Sequence, residues 1–194
     1  MLAMTLLGCS FTTPQGEEPI HGALWVDEVF ANFPGSAMVV IANSPLPCEP
    51  EDTVDVPATA VDEVASAESW WVAQLQSAFT REGAAAVALW LGGNAAEGGE
   101  FVVSPKGWLS ADAGQGGGAA LLVEEAVLLQ RDGALFQYEP TEFTRDTALT
   151  GTASATVGDT TAEVTFDLGA WRGTATAERC VNPALSGAVV ELLQ

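Results

Sequence analysis

The feature that most constrains the fold is the strict alternation of apolar and polar residues in Thr161–Leu168. The apolar members are Ala162, Val164, Phe166 and Leu168. A period of two predicts an antiparallel strand with one face on the core and one in water. Thr150–Val157 alternates more weakly before it, and the Thr- and Ala-rich Trp171–Cys180 follows after a turn at Gly169-Ala170. Together the three segments predict a meander.

Short continuous apolar runs predict further strands that are buried on both faces. Ala37–Ala42 and Ala84–Leu91 are such runs, and residues 24–30 and Glu100–Ser104 also favour strand. A chain of 194 residues that is 48% hydrophobic can form one substantial core. We therefore expect a mainly β fold, an antiparallel β-sandwich or a partly open barrel, in a single domain spanning residues 21–194.

One α-helix is expected to pack on this sheet, from about residue 59 to residue 80. Thr59 suits the N-cap position, and Asp62 three residues later makes a variant capping box. Arg81 and Gly83 are typical of a helix end. Apolar residues between these limits recur at steps of three and four, which is the pattern of an amphipathic helix.

Residues 119–130 are compatible with two structures. As a helix, this segment would place four leucines on one face. As a strand, it would align four apolar residues, with Glu125 as the one interruption on that face. Arg131-Asp132-Gly133 and the following Ala134–Tyr138 resemble a turn and a returning strand. We predict a β-hairpin and keep the helix as the alternative.

The N-terminal stretch Leu6-Leu7-Gly8-Cys9 resembles the lipobox of bacterial lipoproteins. The resemblance implies that residues 1–8 are the remnant of a signal peptide and that Cys9 is acylated as the lipid attachment site. Ser10 after the cysteine implies sorting to the outer membrane, facing the periplasm or the surface. The stretch departs from the signal-peptide pattern because Met1–Gly8 carries no Lys or Arg. Either the start codon is assigned too late, or this is an ordinary apolar N-terminus that contains a cysteine. The resemblance says nothing about the globular domain.

The segment after Cys9 has the composition of a flexible tether. Ser10–Pro19 mixes Thr, Pro, Gln, Gly and Glu without apolar periodicity, so residues 9–20 are expected to be a lipidated linker. Cys48 and Cys180 are then left to form one disulfide bond, which an oxidising envelope permits. The alternative is two buried free thiols. A zinc site is not expected, because the chain has one His and no closely spaced Cys pair.

The formal charge of −20 limits the possible partners. It would repel the phosphates of nucleic acids and an anionic membrane surface, so lipid is the expected route to the membrane and no nucleic-acid partner is expected. Four acidic residues follow Cys48 in a proline-rich loop and form a weak candidate calcium site: Glu49, Glu51, Asp52 and Asp55. Their spacing does not match an EF-hand, and the alternative is a solvated loop. A monomer is expected.

The chain lacks the sequence patterns of common catalytic sites. His21 is the single histidine, no Gly-x-Ser-x-Gly motif occurs, and the glycines of 114–118 lack the strand–loop–helix context of a phosphate loop. We therefore assign no catalytic and no cofactor-binding residues. The expected function is an envelope-anchored, non-enzymatic binding or structural module with a protein or glycan partner. A small carboxylate-dependent hydrolase is the alternative, since paired carboxylates leave no sequence signature.

Overall fold

The computed structural model describes residues 9–27, 35–46, 48, 83–105, 107, 114–130, 136–146 and 149–180. These residues are mainly β, as predicted, and their helical content is a single 3₁₀ turn, Ala95–Glu97. The helix expected at about 59–80 lies outside them. The strands are β1 (Ser10–Thr13), β2 (Gly16–Pro19), β3 (Gly22–Asp27), β4 (Ala37–Ala42), β5 (Ala85–Leu91), β6 (Gly99–Val103), β7 (Gln115–Gln130), β8 (Phe136–Asp146), β9 (Gly151–Val157), β10 (Thr161–Leu168) and β11 (Trp171–Cys180).

Eight of these strands form a closed barrel in the order β10-β9-β6-β7-β5-β4-β3-β11, and the pairing of β11 with β10 completes the ring. The pairs β6–β7 and β3–β11 are parallel, and the other pairs of the ring are antiparallel. The sequence favoured a sandwich or a partly open barrel. The barrel is closed because β11 pairs along one edge with β10 and along the other with β3.

The predicted meander is confirmed as β9, β10 and β11. The alternation of apolar and polar residues in β10 places one face of the barrel wall on the core and the other in water. Ala162, Val164, Phe166 and Leu168 are buried, and the residues between them are exposed. The interior also contains Trp25, Phe101 and Trp171. Gly118 of β7 faces this packing: a Cβ there would lie 3.2 Å from Leu89 Cδ2 and 3.3 Å from Val103 Cγ1. The interior is therefore a packed core.

The outer surface of β3, β4 and β5 is apolar and buried as well. Alternate residues of these strands turn away from the barrel interior and are at most 8% exposed: Leu24, Val26, Met38, Val40, Ala42, Ala86, Ala88 and Trp90. Burial on both faces explains why β4 and β5 are continuous apolar runs in the sequence. Leu46, after β4, contributes to this outer packing, since its backbone lies against Gly22.

Residues 10–19 form a β-hairpin, so the prediction of a flexible tether at 9–20 is wrong. β1 pairs with β2 and, through Phe11 and Thr12, with the start of β11. Phe11 is 1% exposed and stacks on Trp171 with ring centroids 6.2 Å apart. Gly173 lies opposite Phe11 in the register and provides the room for it. The polar composition that suggested a linker belongs to the hairpin turn and to β2, whose residues are mostly exposed.

Residues 119–130 belong to strand β7, which confirms the hairpin and excludes the helix for this segment. β7 is 16 residues long, but its pairing with β5 ends at Leu122. Beyond that point it continues in register with β8, from Val123 opposite Phe143 to Gln130 opposite Phe136, with a register irregularity near Glu125. We call this two-stranded extension, residues 123–130 and 136–143, the ribbon.

Candidate functional site

Different strand ends and different polar residues lie at the two ends of the barrel. At one end β3 begins at Gly22, β4 ends at Ala42 and β5 begins at Ala85, and these residues lie close in register. The backbone N–H of His21 donates to the Ala42 carbonyl at 3.0 Å at this end. We call this end the Cys9 rim, because Cys9 is hydrogen-bonded to the residue before His21. The other end, where β3 stops, is the Asp27 rim.

Cys9 is an exposed free cysteine whose backbone is held by the fold. Its carbonyl accepts a hydrogen bond from the N–H of Ile20 at 2.8 Å, and the next residue, Ser10, already belongs to β1. The Ser10 hydroxyl donates to the Glu17 carboxylate across the hairpin. The predicted lipid attachment residue is therefore accessible, and it directly adjoins the folded domain.

Asn43 connects the hairpin to the Cys9 rim. It exchanges backbone and side-chain hydrogen bonds with Ala85 at 3.0 Å. Its amide nitrogen donates to the Glu18 carboxylate and to the Gly83 carbonyl, both at 2.9 Å. Because Glu18 lies on β2, this buried side chain ties the hairpin to β4 and β5. No sequence motif distinguishes it from other loop asparagines.

The predicted disulfide bond between Cys48 and Cys180 is confirmed. The two Cα atoms are 5.6 Å apart and 132 residues separate them in sequence. Cys180 pairs in register with Val26, whose side chain belongs to the outer apolar surface. The bond thus brings the segment after β4 back across β3 to the end of β11, and it excludes the alternative of two free thiols.

An ion pair at the Asp27 rim was not predicted. Arg179 Nε donates to Asp27 Oδ2 at 2.7 Å, and the two side chains are 24% and 13% exposed. The indole N–H of Trp25 donates to Asp27 Oδ1 at 2.8 Å, and the Arg179 Nη1 donates to the Gly158 carbonyl at 3.0 Å. The pair joins residues 152 positions apart, and only the parallel pairing of β3 with β11 brings them together. These bonds engage both oxygens of the Asp27 carboxylate, so we interpret the cluster as a set of contacts that stabilises this end of the barrel.

The outer face of β9, β10 and β11 is polar and exposed. It carries hydroxyl side chains in neighbouring register positions, interspersed with a few charged residues: Thr152, Ser154, Thr156, Thr161, Thr165, Thr174 and Thr176. Thr165 and Thr174 share a hydrogen bond at 3.0 Å between their hydroxyl oxygens. This hydroxyl face extends over three neighbouring strands, and it offers hydrogen-bond donors and acceptors to a partner.

Three buried side-chain atoms of the described residues have no hydrogen-bond partner: Ser36 Oγ, Ser44 Oγ and Trp90 Nε1. Ser36 precedes Met38 by two positions, and Met38 lies opposite Trp90 in the register. Two of the three groups therefore lie on the outer side of β4 and β5. Each unsatisfied group reduces stability, since burial removes its bonds to water.

The candidate calcium ligands Glu49, Glu51, Asp52 and Asp55 lie outside the described residues. In the part of the chain that is described, no group of three or more His, Cys, Asp or Glu side chains is arranged to hold a metal ion. No helix of that part is long and apolar enough to span a bilayer. Comparisons with protein-family models, curated proteins and solved structures found no match.

Proposed function

We propose that the protein is a bacterial envelope lipoprotein, acylated at Cys9, whose barrel acts as a non-enzymatic binding or structural module. The observation that carries the proposal is the distribution of the three cysteines. Cys48 and Cys180 are joined in a disulfide, whereas Cys9 is exposed and free at the start of β1. A disulfide is typical of an oxidising compartment such as the envelope. A lone accessible thiol next to a lipobox-like stretch is what lipid attachment requires.

The packed interior supports a role for the outer surface. Phe101, Phe166 and Trp171 occupy the inside of the barrel, so a ligand would have to engage the outside or the rims. The hydroxyl face of β9–β11 suits a protein or glycan partner in the envelope, because its hydroxyls both donate and accept hydrogen bonds. The carboxylates on this face lie on the outside of a barrel wall rather than in a desolvated cleft. We therefore favour binding over a carboxylate-dependent hydrolase.

The remaining parts of the proposal follow from the anchor and the charge. The lipid on Cys9 would hold the protein on the outer membrane, facing the periplasm or the surface, and the barrel would act as a monomer.

Calcium stays a proposed ligand for the acidic loop after Cys48. At a site with a Kd of ~10⁻⁵ M, millimolar calcium would add about 2.7 kcal/mol to the free energy of unfolding. The melting temperature in calcium, against chelator at matched ionic strength, measures this effect.

Mass spectrometry of the protein purified from envelopes tests the anchor. We expect a chain that starts at Cys9 and carries acyl groups, and a Cys9→Ser variant that keeps residues 1–8 and loses the acyl groups. The intact Met1, or a soluble secreted form of the natural sequence, would contradict the proposal.

In the same cells, photo-crosslinking from Thr176 on the hydroxyl face should capture a partner that crosslinking from Thr12 on β1 does not.

A further inference from the structure

The ribbon leaves the barrel at the rim that holds the anchor cysteine. Going round the wall, Gly22 is in register with Ala42, Ala42 with Ala86, and Ala85 with Leu122. Leu122 is therefore the rim residue of β7, and everything after it extends past the barrel on the Cys9 side. Eight residues of β7 continue beyond this point, about 27 Å at ~3.4 Å per residue.

The anchor adjoins this rim without an intervening linker. Cys9 bonds to Ile20, and β1 starts at Ser10, so no flexible segment separates an acyl chain on Cys9 from the barrel. A bilayer that holds the lipid must then lie close to the Cys9 rim. A ribbon about 27 Å long that starts at the same rim is within reach of that bilayer.

The residues of the ribbon change in character along its length. Near the barrel it contains the acidic residues Glu124, Glu125 and Glu142. Its distal part, residues 126–130 and 136–140, has seven apolar or aromatic residues among ten, one acidic residue and no basic residue. Phe136 and Tyr138 belong to this part, and aromatic residues are enriched at the boundary between headgroups and acyl chains.

We propose that the distal part of the ribbon lies in the interfacial region of the bilayer to which Cys9 is anchored, so that the Cys9 rim faces the membrane. The proposal rests on the proposed acylation of Cys9. Backbone hydrogen bonding limits how deep the ribbon can enter the bilayer, because the unpaired N–H and C=O groups of open strand edges are not tolerated in hydrocarbon. The ribbon therefore occupies the headgroup boundary, about 5–10 Å deep, where water still reaches its edges.

The test uses the full, acylated protein in phosphatidylcholine vesicles. With Cys9 acylated and Cys48 bonded to Cys180, a Leu128→Cys variant has a single reactive thiol, which is labelled with an environment-sensitive fluorophore. We expect a blue-shifted emission that is quenched by lipids carrying a nitroxide near the headgroup. The matched control is Asp159→Cys, in the exposed turn at the Asp27 rim, whose label should keep its emission. Tyr138→Cys is a second ribbon position in case Leu128→Cys does not fold.

The outcomes separate this proposal from the lipoprotein proposal. If Cys9 carries no acyl group, both the lipoprotein proposal and the ribbon proposal are overturned. If the protein is acylated and vesicle-bound but its ribbon labels are no more quenched than the Asp159→Cys label, the ribbon proposal alone is overturned. If Leu128→Cys forms disulfide-linked dimers in high yield before labelling, a second copy covers the ribbon, and the membrane proposal is overturned as well.

Discussion

Removing the Phe11 side chain tests whether the N-terminal hairpin is part of the folded domain. Phe11 is 1% exposed and stacks on Trp171. Burial of such a side chain contributes about 1.5–3 kcal/mol, and an aromatic pair about 0.5–1.5 kcal/mol more. The cavity left in the core brings the expected cost of Phe11→Ala to about 3–5 kcal/mol. A domain of this size has a total stability of about 5–15 kcal/mol, so the variant should still fold in most of that range.

The assay is urea unfolding of the lipid-free Cys9→Ser protein with its disulfide intact, followed by tryptophan fluorescence. Thr12→Ala is the matched control, because Thr12 lies on the same strand and is only half-buried. If residues 9–20 were a linker, Phe11→Ala would change the free energy of unfolding by no more than about 0.5 kcal/mol, like a surface substitution. That result would refute the assignment of the hairpin to the core. Gly173→Ala tests the same contact from β11, since its Cβ would lie 2.7 Å from Phe11 Cβ and displace β1.

Three further substitutions test single interactions by urea unfolding. Cys180→Ser opens the bond to Cys48, and the chain-entropy estimate for a separation of 132 residues is a loss of roughly 5 kcal/mol; an unchanged midpoint would show that the bond does not stabilise the fold. Asp27→Asn removes the charge that Arg179 faces and should cost about 1–3 kcal/mol at low salt, with a smaller loss at high salt. A loss that does not depend on salt would contradict the ion-pair interpretation. Ser36→Ala removes a buried hydroxyl without a partner and should stabilise by about 1 kcal/mol.

Thr13→Ala is the matched control for the serine substitution. Thr13 is equally buried, but its hydroxyl donates to the Gly16 carbonyl at 3.1 Å and accepts from the Gln15 N–H at 3.2 Å. We therefore expect Thr13→Ala to destabilise by about 1–3 kcal/mol. If both substitutions change stability in the same direction, hydrogen bonding does not decide their effects.

Local pattern predicted the strands well where a strand has one polar face. The alternation in Thr161–Leu168 can be satisfied only by a sheet with water on one side, and β10 has this arrangement. The hairpin at 119–130 followed from the turn residues after it. The disulfide could be inferred by elimination, since the lipobox-like stretch uses one of three cysteines and leaves two.

Long-range pairing accounts for what the sequence could not show. Closure of the barrel depends on the short parallel match of Glu178–Cys180 with Leu24–Val26, which leaves no periodic signal in either segment. The ion pair of Asp27 and Arg179 is a consequence of that match. The hairpin was missed because its apolar contact with the core is made by Phe11, and a single apolar residue among polar ones gives no detectable period. Its other ties, the pairing with β11 and the bond from Asn43 to Glu18, are long-range contacts that leave no sequence signal.

Barrel closure also sets the order in which this chain can mature. β3 begins within the first 22 residues, but its partner β11 and the disulfide partner of Cys48 are made about 150 residues later. Neither the ring nor the covalent bond can form until the chain has been made as far as Cys180, and contacts so distant in sequence form slowly. Until then the apolar edge of β3 is open to pairing with another chain. A nascent molecule of this kind depends on being kept apart from its neighbours until β11 has been made and can pair with β3.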